Sequence, residues 1–138
     1  MEPEFGWTDQ NFQRPPSDRL IIYETLVRDF DETQTFQDII DRLDYLQYMG
    51  FNAIELMPVS EFEGNLSWGY NPTYRFAVDK FYGTKEKMKE LVNECHNRGI
   101  AVILDIVPNH GYGTDPLARL YLDGDGSCLL YTSPSPRD

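Results

Sequence analysis

Residues 101–110 read "AVILDIVPNH", a run of aliphatic residues typical of a buried strand, with the carboxylate of Asp105 inside it. A buried and unpaired carboxylate costs on the order of several kcal/mol, so Asp105 must pair, become neutral or face a polar space. Pro108 has no N–H to donate and ends the strand. Asn109 and His110 follow directly. We therefore predict that three polar side chains converge at the carboxyl end of this strand.

Two segments upstream carry the apolar periodicity of amphipathic helices. Between residues 36 and 49, apolar side chains recur at spacings of three and four, which places them on one helical face. Thr35 and Asp38 can form a capping box at the start, and Gly50 can close the end. A similar stripe predicts a second helix between residues 84 and 99.

Strand-forming runs alternate with these helices. We predict strands at about residues 19–28, in "FNAIELMPV" (51–59) and in "IAVILDIV" (100–107). The order is therefore strand, helix, strand, helix, strand. Continuous aliphatic strands in this order predict an α/β fold with a parallel sheet and right-handed crossovers.

Two architectures match that order, and the loops distinguish them. A doubly wound sheet normally carries a glycine-rich first turn for its ligand, whereas "RDFDETQT" at 28–35 has no glycine. A (β/α)8 barrel needs about 250 residues and places its site on the loops after its strands. The segment 60–83, after the second strand, is long enough to be such a functional loop. We predict a partial (β/α)8 TIM barrel that comprises strands 1 to 3 and helices 1 to 2.

Composition excludes several classes of function. The 138 residues carry 23 acidic and 12 basic side chains, a net charge of -11, so we expect no nucleic-acid partner. No apolar run approaches the roughly 20 residues of a membrane span, so we expect no membrane partner. The cysteines are Cys95 and Cys128, which define no disulfide framework. Cys95 lies on the apolar face of the second helix and is expected to pack, with His96 on the surface. The compartment remains unknown.

The residues alone leave the role of the 105–110 segment open. Asp105 could line a ligand site, or it could pair with an arginine of a neighbouring strand. Asn109 could simply form a turn, and His110 could cap it. Asn109 also offers an oxygen ligand of the kind that calcium prefers, although one amide does not specify a cage. Zinc is less favoured because His110 has no suitably spaced histidine or cysteine partner.

The long loop contains a second group of candidates in "SWGYNPTYRF" (67–76). Aromatic faces suit stacking against the C–H faces of sugar rings, while their polar atoms can bond to hydroxyl groups. Tyr70 lies in a tight turn, and we expect it to contact ligand. Trp68 is a second candidate, although for Trp68 and Tyr74 local packing on the barrel rim is favoured. Glu55 lies well inside the second strand and is interpreted as a structural ion-pair partner.

These motifs resemble those of one known family. "DIVPNH" preceded by "GIAVIL" resembles the third-strand motif of the α-amylase superfamily of glycoside hydrolases and transglycosidases, whose catalytic domain is a (β/α)8 barrel. "WGYNP", "FYGT" and "ECHNRG" are similar to its segment between the second strand and second helix. "IELMPV" resembles the form seen in branching-enzyme, isoamylase and trehalohydrolase relatives. The resemblance covers about residues 19–123 and rests on several motifs in order.

The resemblance implies roles for individual residues. Asp105 and His110 are expected to line the subsite of the sugar that is cleaved, and Tyr70 is expected to stack beneath that sugar. Asn109 occupies the position that often binds a structural calcium, which is the one candidate cofactor. The implied chemistry is retaining, with a nucleophilic carboxylate, a carboxylic acid and a third carboxylate that stabilises the transition state. These groups follow the fourth, fifth and seventh strands, so this chain is expected to hold no catalytic carboxylate.

The expected function is therefore that of part of an α-amylase-type glycoside hydrolase that acts on α-1,4-glucans such as starch, glycogen and maltooligosaccharides. The 138-residue piece itself is expected to be inactive. Alternatives are a branching-enzyme-like α-glucan transferase and a non-catalytic glucan-binding barrel. We expect residues 1–18 to form a linker or strap and 19–127 to form the barrel portion. Residues 128–138, "CLLYTSPSPRD", are interpreted as a sequence derived from a sequencing adapter.

Overall fold

The computed structural model describes residues 4–64 and 66–121, apart from the side chains at positions 118 and 121. Within these ranges the strands are β1 (Ile22–Thr25), β2 (Ala53–Leu56), β3 (Ser60–Phe62), β4 (Pro72–Val78) and β5 (Ala101–Leu104). The helices are α1 (Val27–Phe30), α2 (Phe36–Tyr48), α3 (Lys85–Asn97) and α4 (Pro116–Tyr121), and a 3-10 turn spans Ser17–Arg19. The predicted tail at 128–138 lies outside the described residues.

The main sheet is parallel, as the sequence predicts. Its order is β1-β2-β5, and β2 pairs with both neighbours. Ile22 lies opposite Ala53, and Ala53 lies opposite Ala101, so the strands start in register. Helices α2 and α3 connect these strands in the predicted order. The prediction of an α/β fold with a parallel sheet is therefore confirmed, and the three strands of this sheet form an open sheet that does not close into a barrel within the described residues.

One face of the sheet packs against the helices. Ile54 and Leu56 of β2 are fully buried in a core with apolar side chains of α2 and α3. The core members from the two helices are Phe36, Ile39, Leu43, Leu46, Leu91 and Cys95. Because side chains alternate across a strand, Ala53 and Glu55 lie on the opposite face of β2. The sheet thus separates an apolar helix-packed side from a side that carries a carboxylate.

The helix ends follow the predicted capping signals. The Thr35 N–H donates to the Asp38 carboxylate at 3.4 Å, as expected for a capping box, and Gly50 adopts a φ of 90° after α2. At the start of α3, the Thr84 hydroxyl accepts from the Lys87 N–H at 3.1 Å. Gly99 follows α3 with a φ of 71°. The predicted bounds of both helices therefore agree with the structure to within about a residue or two.

The long segment after β2 contains regular secondary structure. It contains an antiparallel hairpin in which β3 pairs with β4, with register shifts around Glu61. The expectation of strands 1 to 3 in one parallel sheet is therefore incomplete, since this second sheet was not predicted. The first strand also occupies only Ile22–Thr25 of the predicted 19–28, because α1 begins at Val27. The short helix α4 was likewise not predicted.

The N-terminal segment lies on α3. The Thr8 N–H donates to Asn93 at 2.8 Å, and Asp9 pairs with His96 Nδ1 at 2.6 Å. The Phe12 ring stacks on the His96 ring with centroids 3.9 Å apart. His96 is half-buried by these contacts, so its interpretation as a surface residue is wrong. Cys95 is fully buried, and its packing role is confirmed.

No helix within the described part of the chain is both long enough and apolar enough to cross a membrane.

Asp79, directly after β4, makes the stability of the fold depend on pH. Its side chain is fully buried and accepts from the Phe81 N–H at 2.9 Å, while its other oxygen accepts no hydrogen bond from the described residues. Burial is the largest influence and raises the pKa of Asp79, and the nearby Lys80 opposes the shift. A raised folded-state pKa stabilises the fold below the unfolded pKa of about 3.9, and this contribution is lost as the pH rises through the folded pKa.

We predict that Asp79→Asn gains stability relative to the wild type as the pH rises from about 3 to 7, because an amide accepts the same hydrogen bond without a buried charge. Urea unfolding at a series of pH values measures the difference. Asp18→Asn, at an exposed position, removes the same charge as a control. A difference between Asp79→Asn and wild type that is constant with pH would contradict the prediction.

Candidate site at the carboxyl edge of the sheet

The parallel strands bring two loops to the same edge of the sheet. The carboxyl ends of β2 and β5 are adjacent, since Leu56 lies opposite Leu104. The β3–β4 hairpin follows β2, and the segment 105–115 follows β5. Residues that are distant in sequence therefore meet beside one another at this edge.

Asp105 lies at the first position after β5. Its N–H donates to the Leu56 carbonyl at 3.0 Å, which extends the pairing of β5 with β2 by one residue. Its half-buried carboxylate accepts a hydrogen bond from the Tyr70 hydroxyl at 2.5 Å. No arginine or lysine within residues 4–64 and 66–121 forms a salt bridge with Asp105, and the alternative of a paired structural acid stays a prediction.

Tyr70 is held in place by the turn that precedes it. Gly69 has a φ of 91°, in the region that favours glycine, and its Cα packs directly against Pro58. The Gly69 N–H donates to the Ser67 hydroxyl at 2.9 Å. The turn therefore places the Tyr70 side chain where its hydroxyl reaches Asp105.

The hydroxyl of Tyr70 lies in a negative environment. The hydrogen bond to Asp105 is the largest influence that raises the pKa of Tyr70 to about 12, followed by desolvation and by the charges of Asp105, Glu24 and Glu55. The phenol is therefore neutral at physiological pH and remains a donor to Asp105. Three carboxylates thus lie near one tyrosine hydroxyl.

His110 joins the same group. Its Nε2 lies 2.8 Å from the Tyr70 carbonyl oxygen. A carbonyl oxygen only accepts, so Nε2 must carry the proton in this contact. The structure therefore brings Tyr70, Asp105 and His110 together, as the sequence predicts.

Trp68 and Tyr74 differ from the favoured expectation of local packing. Their exposed fractions are 63% and 52%, so neither ring is buried on the rim, and that expectation is wrong. Tyr74 projects from β4, and the Trp68 ring has no aromatic or hydrogen-bonding contact with the described residues. The main chain beside Trp68 is fixed, because Arg28 donates to the Ser67 carbonyl at 3.1 Å. Trp68 therefore presents a largely free indole beside the Tyr70 turn.

Two further expectations concern Glu55 and Asn109. Glu55 has no ion-pair partner within residues 4–64 and 66–121, so the ion-pair interpretation finds no support there, and the side chain instead faces the same side as Asp105. Asn109 is exposed. The described residues contain no grouping of three or more histidine, cysteine, aspartate or glutamate side chains suited to a metal ion. Calcium also takes amide and main-chain carbonyl oxygens, so calcium at Asn109 stays a prediction.

Arg75 was missed by sequence reasoning. It lies on β4, pairs with the buried carboxylate of Asp115, and donates from Nη2 to the His110 carbonyl at 2.9 Å. The available signal was weak. Arg75 and Asp115 are far apart in sequence, and only the hairpin, which was not predicted, shows that they meet.

Comparison with known proteins supports the resemblance. The family model of the alpha-amylase catalytic domain matches residues 22–115. A malto-oligosyltrehalose trehalohydrolase of Saccharolobus solfataricus is 42% identical over 110 residues, which is 80% of this chain and 20% of that protein. A 1,4-alpha-glucan branching enzyme of Picrophilus torridus is 37% identical over 142 residues, or 99% and 19% of the two chains. The chain thus spans about a fifth of the length of these curated relatives.

A solved structure shows the same fold. The trehalose-6-phosphate hydrolase of Bacillus licheniformis superimposes with a TM-score of 0.71 and 28% sequence identity. The match covers 77% of this chain and 20% of that one.

Gly69 provides a test of how Tyr70 is positioned. An added Cβ would collide with the Pro58 carbonyl oxygen and lie 2.8 Å from the Pro58 Cβ. Gly64, in the same hairpin, has a φ of 76° but open space around its Cβ position. We predict that Gly64→Ala lowers the free energy of unfolding by about 1–2 kcal/mol through backbone strain alone, and that Gly69→Ala lowers it by clearly more. Chemical denaturation of both variants measures this, and equal losses would show that Pro58 does not constrain the turn.

Proposed function

Because the chain belongs to the α-amylase family of catalytic domains, we propose that it forms the sugar-positioning part of an α-glucan-active enzyme. The observation that carries this proposal is the grouping of the Tyr70 ring, the Asp105 carboxylate and the His110 imidazole at one edge of the sheet. An aromatic face beside acceptor and donor groups is suited to a sugar ring, whose faces are apolar and whose rim consists of hydroxyl groups.

Each residue has a distinct proposed role. The Tyr70 ring stacks against a glucose unit while its hydroxyl remains bonded to Asp105. The Asp105 carboxylate has further lone pairs and accepts from sugar hydroxyls. With the proton on Nε2, the Nδ1 atom of His110 is an acceptor that bonds to no described residue. Trp68, with its exposed indole, extends the aromatic surface towards a neighbouring sugar.

The reaction we propose for the complete enzyme is retaining cleavage of an α-1,4-glucan. The family resemblance places the nucleophile, the acid and the third carboxylate after later strands, which leaves Asp105 and His110 as substrate-binding residues. The described residues support this division of roles, since the carboxylate of Asp105 is engaged by a tyrosine hydroxyl. Calcium at Asn109 has no step in this proposal.

A transferase is the second candidate. The branching enzyme of Picrophilus torridus matches 99% of this chain, whereas the trehalohydrolase of Saccharolobus solfataricus matches 80% with higher identity. The two activities differ in whether water or a sugar hydroxyl accepts the glycosyl group. Transfer and hydrolysis products from α-1,4-glucan, assayed on an enzyme that carries this segment together with an aspartate after strand four and a glutamate after strand five, distinguish them.

The central prediction is glucan binding by the 138-residue chain. We expect maltoheptaose to shift the NMR signals of Tyr70, Trp68 and His110, and we expect Tyr70→Ala to weaken the Kd by about tenfold, or about 1.4 kcal/mol, through loss of stacking. Tyr48→Ala, at a position on α2 that is 87% exposed, is the matched control. Cellohexaose tests whether the linkage matters. Equal affinity of wild type and Tyr70→Ala for maltoheptaose would contradict the proposed site.

We also predict that this chain alone releases no reducing sugar from soluble starch, because the proposed chemistry needs carboxylates that follow later strands. A colorimetric reducing-end assay on the purified chain measures this. Activity that survives purification to homogeneity and disappears in Asp105→Asn would assign catalysis to Asp105 and overturn the proposed division of roles.

A further inference from the structure

Arg75 connects the hairpin to the loop that carries His110. It lies on β4, and its half-buried guanidinium uses two nitrogens in two directions. Nη1 pairs with the Asp115 carboxylate, and Nη2 donates to the His110 carbonyl oxygen at 2.9 Å. One side chain therefore holds both ends of the segment 110–115 against β4.

The partner of Arg75 is firmly fixed. Asp115 is 2% exposed, and its second carboxylate oxygen accepts from the Leu117 N–H at 2.9 Å in the first turn of α4. An ion pair with good geometry offsets the cost of burying a carboxylate this deeply. The position of the guanidinium is thus set by Asp115, and the bond to His110 follows from that position.

The chain between His110 and Asp115 wraps closely around the ion pair. A Cβ added at Gly111 would collide with the Asp115 carboxylate and would lie 2.8 Å from the Arg75 guanidinium. The next residue is also anchored, because the Tyr112 N–H donates to the Pro72 carbonyl at 3.1 Å. The main chain on the carboxyl side of His110 therefore has little freedom to shift while the ion pair is in place.

The imidazole of His110 is held from the other side. Its Nε2–H donates to the Tyr70 carbonyl at 2.8 Å, so the ring orientation depends on where the His110 main chain lies relative to the hairpin. That relative position is what the bond from Arg75 to the His110 carbonyl fixes. The tautomer of His110 is thus linked to a side chain that does not touch its ring.

We infer that Arg75 is a positioning residue for His110: by bonding Asp115 and the His110 carbonyl at once, it holds the imidazole in the Nε2–H tautomer. The role of Arg75 in orienting the His110 ring is independent of what the site binds. The expected effect of Arg75 on sugar binding rests on the proposed function. Arginine suits this role because its planar fork offers donors in two directions, whereas a lysine ammonium is a single point charge.

The test compares Arg75→Lys with Arg75→Met in the 138-residue chain. Lysine retains a charge for Asp115 but has one donor nitrogen, whereas arginine places a separate nitrogen at each partner, so we expect Arg75→Lys to retain most of the stability while losing the tautomer preference. Methionine removes both contacts, so Arg75→Met should lower stability and the tautomer preference together. The readouts are urea unfolding, the ring ¹⁵N shifts of His110 without ligand, and the Kd for maltoheptaose. Arg42→Lys is the matched control, since Arg42 likewise donates from two nitrogens, in its case to the Asp31 carboxylate at an exposed position.

We expect the wild type and Arg42→Lys to show one Nε2–H tautomer, and both Arg75 variants to show mixed tautomers with at least fivefold weaker maltoheptaose binding. Unchanged His110 shifts in both Arg75 variants would overturn the inference and leave Arg75 with a purely structural role, whether or not the chain binds glucan. Altered His110 shifts in a chain that binds no maltoheptaose would support the positioning role while removing the proposed function. The two failures are therefore distinguishable.

Discussion

The hydrogen bond from the Tyr70 hydroxyl to the Asp105 carboxylate joins the two segments on which the candidate site depends. One segment is the hairpin after β2, and the other is the loop after β5. Without this bond the sheet would still form, because its core lies on the helix-packed face. Without it, however, no side-chain hydrogen bond would connect Tyr70 of the hairpin to Asp105 of the loop after β5.

The parallel pairing of β2 with β5 makes that bond possible. The ladder continues one residue beyond β5, where the Asp105 N–H meets the Leu56 carbonyl, so Asp105 lies beside the carboxyl end of β2. The contact between Gly69 and Pro58 then returns the hairpin over the end of β2. The Arg75–Asp115 ion pair then connects β4 of the hairpin to the end of the loop after β5. Main-chain geometry places the loops, and buried polar contacts then fix the side chains within them.

Local signals in the sequence were sufficient for the main elements. The helix at 36–48 was predicted because its apolar spacing and its capping residues agree, and the strands at 53–56 and 101–104 because continuous aliphatic runs mark strands covered on both faces. Tyr70, Asp105 and His110 were predicted as a group from motif resemblance and from the edge they share. The contacts of Arg75 were not predictable, because they require knowledge of which residue β4 places opposite the loop after β5.

The hairpin shows why packing predictions failed where element predictions succeeded. Along β4, Tyr74 and Phe76 share one face and are exposed, while Arg75 points inward to a buried acid. The expectation that Tyr74 packs locally did not take into account that a buried acid, Asp115, needs the neighbouring Arg75 on the inward face of β4. Trp68 was misjudged for a related reason. Aromatic residues in a loop suggest local packing, although here the turn is fixed by hydrogen bonds between side chains and the main chain, from the Gly69 N–H to the Ser67 hydroxyl and from Arg28 to the Ser67 carbonyl.

The carboxylates of the sheet constrain what kind of molecule the open face can bind. Glu24 lies opposite Glu55 in the register, and Asp105 follows on the same face two residues beyond Ile103, the partner of Glu55. None of the three has a cationic partner within the described ranges. Ionised carboxylates only accept hydrogen bonds, so a suitable ligand must supply donors. An anionic ligand would be repelled by this face and by the net charge of -11, whereas a neutral polyhydroxyl chain offers donors without charge. The electrostatics of the sheet thus favour the same class of ligand as the aromatic face of Tyr70.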